Sequence, residues 1–293
     1  MDRPPHSRRE ALAERVAAAR GRVEAMPGAP LVREVVETEH DLGGGLIAGG
    51  VAFRIFLWLV PLGLVVAALL SFWVEYDEDG LEEASRELGV GAAAAAAAAE
   101  ALQTGDRNAV VVLLFGLVTL TWFSLGAVRA LILAHALAWQ LKPPRIRRPF
   151  RVIAVFNGLF VAYVATGAGI AWLREQIGTV SILGIAFTLA ASTTIALTAM
   201  WLLPRRATSV RDLLPGALLV AVGVQVIQIA VLFYFAPRLG RSEETYGALG
   251  AAATMLVWLY VISRLITGAA FLNSTLWLRR NEVRQDLDTP APG

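Results

Sequence analysis

The stretch Gly49–Trp73 reads GGVAFRIFLWLVPLGLVVAALLSFW, and Arg54 is the single charged residue in it. Every other residue of the stretch is apolar or small. The apolar run around it exceeds the ~20 residues that a helix needs to cross a bilayer. The stretch therefore predicts a transmembrane helix, and it raises the question of what a guanidinium does inside one.

The composition of the whole chain is that of a membrane protein. Of its 293 residues 56% are hydrophobic and 17% are charged, whereas soluble domains carry about 25% charged residues. The mean hydropathy is +0.59. Cysteine is absent, which excludes disulfides, thiolate nucleophiles and cysteine metal sites. The first 45 residues are polar, and the first apolar run is too long for a cleavable signal peptide.

Six apolar runs are long enough to span a bilayer. We expect helices, because the strands of a membrane barrel would be about 10 residues long with strict alternation. The predicted fold class is therefore all-α, a polytopic bundle of six transmembrane helices. In chain order the predicted spans are Leu46–Val74, Ala109–Leu141, Val152–Leu173, Val180–Leu203, Leu213–Ala236 and Tyr246–Leu278.

The arginine and lysine residues of the connections predict the orientation. One side of the membrane holds 18 of them, in the N-terminal segment, the loops 142–151 and 204–212, and the tail. The other side holds 5. Basic residues favour the cytoplasmic side, so we expect both termini in the cytoplasm.

Two segments flank the first predicted span, and the sequence allows two structural interpretations of each. Residues 75–107 form an extracytoplasmic insertion, either a helical hairpin, favoured by its polyalanine run, or a low-complexity spacer. Residues 1–45 form a cytoplasmic segment with two short amphipathic helices. These lie either on the membrane interface or against the protein's own loops. The six-span domain is 46–278, with the insertion inside it, and 279–293 is a cytoplasmic tail.

Nothing in the sequence indicates catalysis. The three histidines, His6, His40 and His135, stand apart from one another and form no metal-ligand pattern. The predicted spans contain no Asp or Glu, so they offer no acid–base pair and no carboxylate for proton or sodium coupling. The triple glycine at 43–45 lacks the Lys and Ser/Thr of a phosphate loop and reads as a flexible hinge. We expect a protein that is not an enzyme and has neither metal nor cofactor.

Arg54, Arg129 and Arg264 are the three charges inside the predicted spans. Counted at 1.5 Å per residue from Leu46, Trp139 and Leu276, near the cytoplasmic ends of their spans, they lie at similar depths of roughly 12, 15 and 18 Å. With no acid in the spans, their counter-charge should come from backbone carbonyls or from an anion outside the chain. We hypothesise that the three line one cavity for an anionic group such as a lipid phosphate, which guanidinium binds well. The alternative is that each arginine snorkels separately for structural reasons.

Further polar side chains lie inside the spans and predict hydrogen bonds between helices, which such residues often make in membranes. They are Asn157, Ser192, Thr193, Thr194, Gln225 and Gln228.

The last third of the chain carries recognisable motifs, with one more in the first span. The residues concerned are Pro61, Pro215, Gly216, Tyr246, Gly247, Gly250, Trp258, Tyr260 and Asn273. Together they resemble the YihY/BrkB family of bacterial inner-membrane proteins, some of which are mislabelled ribonuclease BN. The motif Gly-Ala-Glu, frequent in that family just before the asparagine, is Ala269-Ala270-Phe271 here.

The resemblance implies a six-helix membrane protein tied to envelope integrity and to lipid transport. With the arginines, it predicts a protein that binds or transports an anionic lipid or lipid-like molecule, with membrane lipids as partners. No nucleic-acid partner is expected, because a metal-dependent nuclease needs clustered His and Asp ligands that this sequence lacks. The alternative function is a structural scaffold of the cell envelope.

Overall fold

Helices make up the regular structure of the residues that this computed structural model describes, which are 28–74, 106–177, 182–230 and 236–288. A short helix, α1 (Ala29–Asp41), precedes six longer ones, and a 3-10 turn (Val210–Asp212) leads into the sixth helix of the chain. Each longer helix overlaps one predicted apolar run. They are α2 (Gly44–Val74), α3 (Asp106–Ala138), α4 (Pro149–Ile177), α5 (Ile182–Leu202), α6 (Leu214–Ala230) and α7 (Ala236–Asp288).

Four stretches of these helices are long and apolar enough to cross a membrane: Gly44–Val66, Val110–Ala138, Pro149–Gly169 and Ala252–Asn281. The apolar parts of α5 and α6 that the structure describes are shorter, Ala186–Leu202 and Leu214–Ile227. The prediction of a helical membrane protein is therefore confirmed. The predicted hairpin at 75–107 lies almost entirely outside the described residues, as does the first predicted amphipathic helix.

The second predicted amphipathic helix is α1. Pro30 lies in its first turn, where the missing N–H has no intrahelical partner to lose. After the helix ends, Gly43 takes φ 69°, a left-handed conformation that glycine adopts without steric cost. The Gly43 N–H donates to the His40 carbonyl at 3.0 Å. Gly43 thus closes a hydrogen-bonded turn, and Gly44 and Gly45 are the first residues of α2. The flexibility of this hinge stays a prediction.

Helices α2 and α3 run antiparallel and form the most extensive helix pair of the described chain. A Cβ on Gly116 would lie 2.9 Å from Cγ2 of Val65, and one on Gly126 would lie 3.3 Å from Nη1 of Arg54. Glycine lets membrane helices approach this closely, because it has no side chain to keep the two backbones apart. These two contacts fix the register of α2 against α3.

The main buried apolar cluster lies where α3 and α5 end and α6 begins. Trp139 and Trp277 meet edge to face there, with ring centroids 5.9 Å apart. We call this end of the bundle, with the adjoining loop Lys142–Arg148, the basic end. The buried cluster comprises Ala138, Trp139, Met200, Ala207, Leu213, Ala217, Ala269, Ala270 and Phe271.

Helix α7 is longer than predicted at both ends. It begins ten residues before the predicted span, at Ala236, and continues without a break to Asp288. The first part of the predicted tail is therefore helical. Two of its arginines are ion-paired: Arg279 to Glu34 of α1, and Arg280 to Asp212 at 2.9 Å.

Candidate functional site

Arg264 of α7 has an internal counter-charge. Its two terminal nitrogens each bond one oxygen of Glu39 on α1, Nη1 to Oε1 and Nη2 to Oε2, the latter at 3.1 Å. Glu39 is buried, with 6% of its surface exposed. The expectation that carbonyls or an outside anion neutralise every membrane arginine is therefore wrong for Arg264.

The glycine turn places Glu39 against α7. A Cβ on Gly44 would collide with Cγ of Glu39 and would lie 3.0 Å from its carbonyl oxygen. Glu39 can therefore pack over the start of α2 only because residue 44 is glycine. A second ion pair joins the same two helices, with Nε of Arg279 at 2.6 Å from Oε2 of Glu34. We call the pairs Glu39–Arg264 and Glu34–Arg279 the clasp.

The clasp places α1 against the bundle. This helix packs on α7 and α2, so it meets helices of the protein rather than the loops expected, and its place on the membrane interface stays a prediction. Val35 contributes to the core at the basic end. Val32 and Val36, on the neighbouring side of α1, are 61% and 55% exposed, so an apolar strip of the same helix stays uncovered.

Sequence reasoning missed Glu39, although a signal was present. Val35 and Glu39 lie four residues apart, which makes them neighbours on one helix face. An acid one turn after a core-facing valine is expected to be buried, and a buried acid needs a partner.

Arg54 and Arg129 are in a different situation. Both are exposed on the surface of the helices. The guanidinium of Arg54 lies over Gly126 of α3, and Arg129 follows Gly126 by one helical turn. Residues three apart on a helix are surface neighbours, so the structure brings these two arginines to one place.

Within the part of the chain that the structure describes, neither Arg54 nor Arg129 has a hydrogen bond or an ion pair. Two like charges next to each other without an acid repel one another and favour a bound anion. Guanidinium groups present planar donors that match phosphate and carboxylate oxygens. We call Arg54 and Arg129 the arginine pair.

Arg264 does not share this place. Its Nη1 lies 3.6 Å from the position of a Cβ on Gly45. Arg54 comes nine residues after Gly45 on α2, about 13 Å along the helix axis. The guanidinium of Arg264 thus meets α2 nearer its start than the backbone position of Arg54, and the relative depth of the three arginines stays a prediction.

A polar network ties three helices together beside the arginine pair. Nε1 of Trp58 donates to Oδ1 of Asn157 at 3.2 Å, and Nδ2 of Asn157 donates to Oγ of Ser124 at 3.0 Å. The Trp58 ring also meets Phe156 and Phe160 edge to face, at centroid distances of 5.1 and 4.8 Å. The interhelical role predicted for Asn157 is confirmed, and the network fixes α2, α3 and α4 where the arginines lie.

Replacing Asn157 by leucine should lower the free energy of unfolding by about 1 kcal/mol, the size typical of hydrogen bonds between membrane helices. The change leaves the Trp58 N–H and the Ser124 hydroxyl without this partner. The measurement is the thermal midpoint of the purified protein in mild detergent. Thr166→Val is the matched control, since that hydroxyl bonds only the Ala162 carbonyl of its own helix in the described structure. Equal midpoints for the two variants would contradict the prediction.

The other polar groups of the spans behave differently. Thr193 and Thr194 bond the carbonyls of Leu189 and Ala190 in their own helix, so an interhelical role is wrong for them. Ser192 is buried. The side-chain nitrogen of Gln225 is buried without a partner among the described residues.

Of the histidines, His135 is buried, and its Nδ1 lies 3.1 Å from the Leu131 carbonyl. It therefore packs inside the bundle. His40 is exposed on α1, and His6 lies outside the described residues.

Three of the family-motif residues, Pro215, Gly216 and Asn273, lie at one joint between α6 and α7. Oδ1 of Asn273 accepts the Gly216 N–H at 2.7 Å, and its Nδ2 donates to the Leu213 carbonyl at 3.2 Å. Pro61 is buried inside α2, and Pro215 opens α6. Trp258 is half-buried and Tyr260 is 40% exposed. Tyr246, Gly247 and Gly250 lie on α7.

An apolar groove lies between α3 and the start of α4. It has a volume of 470 Å³, and Val118, Thr121, Trp122 and Leu125 of α3 line it opposite Phe150 and Ile153 of α4. Leu125 precedes Arg129 by four residues, so the groove and the arginine pair share a face of α3.

Comparison with known proteins gives one match. The family model described as Virulence factor BrkB matches residues 40–292, which is well over half of the chain. No curated protein and no solved structure matches this chain.

Proposed function

This chain belongs to the family described as Virulence factor BrkB, and from that premise we propose that it binds or transports an anionic lipid in the bacterial inner membrane. The chain is a multi-pass membrane protein with long apolar helices. We further propose that all six longer helices span the membrane, with the basic end in the cytoplasm and residues 75–107 as a helical insertion outside. The role that this serves is envelope integrity.

The observation that carries the proposal is the arginine pair. The guanidinium of Arg54 lies over Gly126, and Arg129 follows Gly126 by three residues on α3. Both arginines are exposed and have no partner in the described chain. A charge inside a span costs roughly 2.5–3.5 kcal/mol on insertion scales, so two adjacent ones need compensation. A phosphate or carboxylate of a lipid head group supplies it through charge-assisted hydrogen bonds.

The proposed ligand set is smaller than the three arginines first predicted. Arg264 is satisfied by Glu39 and holds the fold together, so we leave it out of the site. We propose that the protein acts without catalysis, since the described residues contain no cluster of His, Asp and Glu able to hold a metal. Membrane lipids are its expected partners, and nucleic acids are not.

Removing both charges of the arginine pair by Arg54→Gln and Arg129→Gln should lower the anionic lipid that stays bound to the purified protein at least tenfold, or about 1.4 kcal/mol. The measurement is native mass spectrometry of protein extracted in mild detergent, counting lipids that remain at stoichiometric amounts. Arg54→Lys with Arg129→Lys should give an intermediate loss, because lysine keeps the charge but not the bidentate geometry.

The matched control is Arg145→Gln with Arg147→Gln. It removes two exposed basic side chains of the loop outside the helices and changes the net charge equally. This control should keep the bound lipid. If the arginine-pair variant keeps it as well, the lipid proposal is wrong.

One observation favours a second candidate, a structural scaffold of the envelope. Of the three membrane arginines, Arg264 serves the fold, through its ion pair with Glu39. If Arg54 and Arg129 also act only within the fold, their double variant should lose stability while its lipid content stays unchanged. The same experiment therefore separates the two functions.

A further inference from the structure

The groove between α3 and α4 is open along one side and lined by apolar side chains. Its two aromatic walls, Trp122 and Phe150, are 78% and 77% exposed. Its volume of 470 Å³ lies within the range of about 300–1,000 Å³ found for ligand pockets. In a membrane an apolar groove of this kind faces hydrocarbon, so its natural contents are hydrocarbon chains.

The groove and the arginine pair form one continuous surface. Trp122, Leu125 and Arg129 follow each other at i, i+3 and i+7 on α3, which is a single helix face. Arg54 reaches the same face from α2, over Gly126. Charge therefore lies at the end of the groove that points to the basic end, and apolar surface extends from there away from the basic end.

The groove lies close to the basic loop. Pro149 and Phe150 line it, and Arg148, which precedes Pro149 in the chain, is exposed. Basic residues at a membrane surface attract anionic lipids by about 1 kcal/mol each. An anionic lipid arriving from that side meets positive charge first and the apolar walls second.

We propose that the groove holds one acyl chain of an anionic glycerolipid whose phosphate binds the arginine pair. This inference rests on the function proposed above, and it adds that the ligand is recognised by its chain as well as by its charge. The order of the parts, head group toward the basic end and chain away from it, is the order of a lipid in the leaflet on that side.

A second copy of this chain fits the groove less well. Symmetric dimers place the same patch of both partners face to face, which would bring two arginine pairs into one interface. The predicted spans contain no Asp or Glu to neutralise four such charges. A lipid brings its own negative charge.

The groove would hold the acyl chain through van der Waals packing, because an acyl chain that moves from the bilayer into the groove gains no hydrophobic free energy. Two variants alter that packing in opposite ways. Thr121→Phe fills the groove, and Trp122→Ala removes one wall. Leu114→Phe is the matched control, since it enlarges a side chain that is 59% exposed on α3 and outside the groove.

The full-length protein is placed in nanodiscs of phosphatidylcholine with a small share of phosphatidylglycerol. Native mass spectrometry counts the phosphatidylglycerol that each protein keeps. Broadening of the phosphorus resonance of glycerol 3-phosphate reports on head-group binding without a chain. Thr121→Phe and Trp122→Ala should each lower retained phosphatidylglycerol about fivefold or more, through lost dispersion contacts. They should leave the glycerol 3-phosphate signal as in the unmodified protein.

Groove variants that keep phosphatidylglycerol as well as Leu114→Phe does would overturn the inference. If, in the same nanodisc experiment, the arginine-pair variant loses phosphatidylglycerol while the groove variants keep it, the proposed function still stands. Loss of both probes in the groove variants would also overturn the inference, because it indicates damage beyond the chain-binding surface. If the arginine-pair variant keeps both probes, the proposed function itself is wrong.

Discussion

Glu39→Gln should lower the free energy of unfolding by about 2–3 kcal/mol and release α1 from α7. Removing one partner of a fully buried ion pair costs about 3–5 kcal/mol, and exposed pairs contribute about 0–1 kcal/mol. Here the side chain of Glu39 is 8% exposed and that of Arg264 is 38% exposed, so the expected value lies between those limits. The measurements are the thermal midpoint in detergent and hydrogen exchange of the α1 amides.

The matched control for Glu39→Gln is Glu37→Gln on the same helix. Glu37 pairs with Arg33, and these side chains are 59% and 75% exposed, so its loss should cost less than about 0.5 kcal/mol. The exchange Glu39→Arg with Arg264→Glu should recover part of the stability, since it restores opposite charges. If Glu39→Gln is no more harmful than Glu37→Gln, the clasp does not hold α1.

Much of the fold could be predicted because the bilayer imposes a minimum length on apolar helices. The predicted spans overlap the six longer helices, and α1 appears where valines follow a helical spacing. The joint between α6 and α7 could be located only by resemblance, and its hydrogen bonds required the structure. They link Gly216 to Asn273 across 57 positions of the chain.

The arginines show where reasoning from the sequence fails. The depth of Arg264 was counted from Leu276, near the predicted end of its span, but α7 continues to Asp288, so that reference point is not a helix end. Acids were sought only inside the spans, whereas Glu39 lies on α1 and reaches Arg264 across 225 positions. A local pattern can mark Glu39 as buried, but it cannot name the partner.

The two classes of arginine have different consequences for function. An arginine paired inside the chain needs no ligand, and its substitution reports on stability alone. The arginine pair lacks such an acid in the described chain, so its substitution should report on bound anion. The clasp variants and the arginine-pair variants therefore give opposite patterns of stability and lipid content, which makes each a control for the other.

Asn273→Ala should lower the free energy of unfolding by about 2–3 kcal/mol. Asn273 is fully buried, and it accepts the N–H of Gly216 in the first turn of α6. First-turn N–H groups have no partner within their own helix, and leaving one buried and unpaired costs about 1–3 kcal/mol. The Leu213 carbonyl keeps a hydrogen bond from the Ala217 N–H, so the loss comes from one unpaired donor and a small cavity.

The control is Asn281→Ala, which removes a hydrogen bond to the Trp277 carbonyl of the same helix. It should lower the free energy of unfolding by less than about 1 kcal/mol.

The same joint can be tested from the α6 side with Gly216→Ala. The new methyl group would lie 2.6 Å from the Ala269 carbonyl oxygen and would collide with Nδ2 of Asn273. Backbone cannot move aside as a side chain can, so α6 and α7 must separate, at a cost of about 1–3 kcal/mol typical of overpacking. Gly158→Ala on α4 meets nothing within 4 Å and should leave stability unchanged or raise it by up to about 1 kcal/mol, since alanine favours helix. A thermal midpoint that falls for Gly216→Ala and not for Gly158→Ala would show that the joint requires glycine at residue 216. Equal midpoints for the two variants would contradict the prediction.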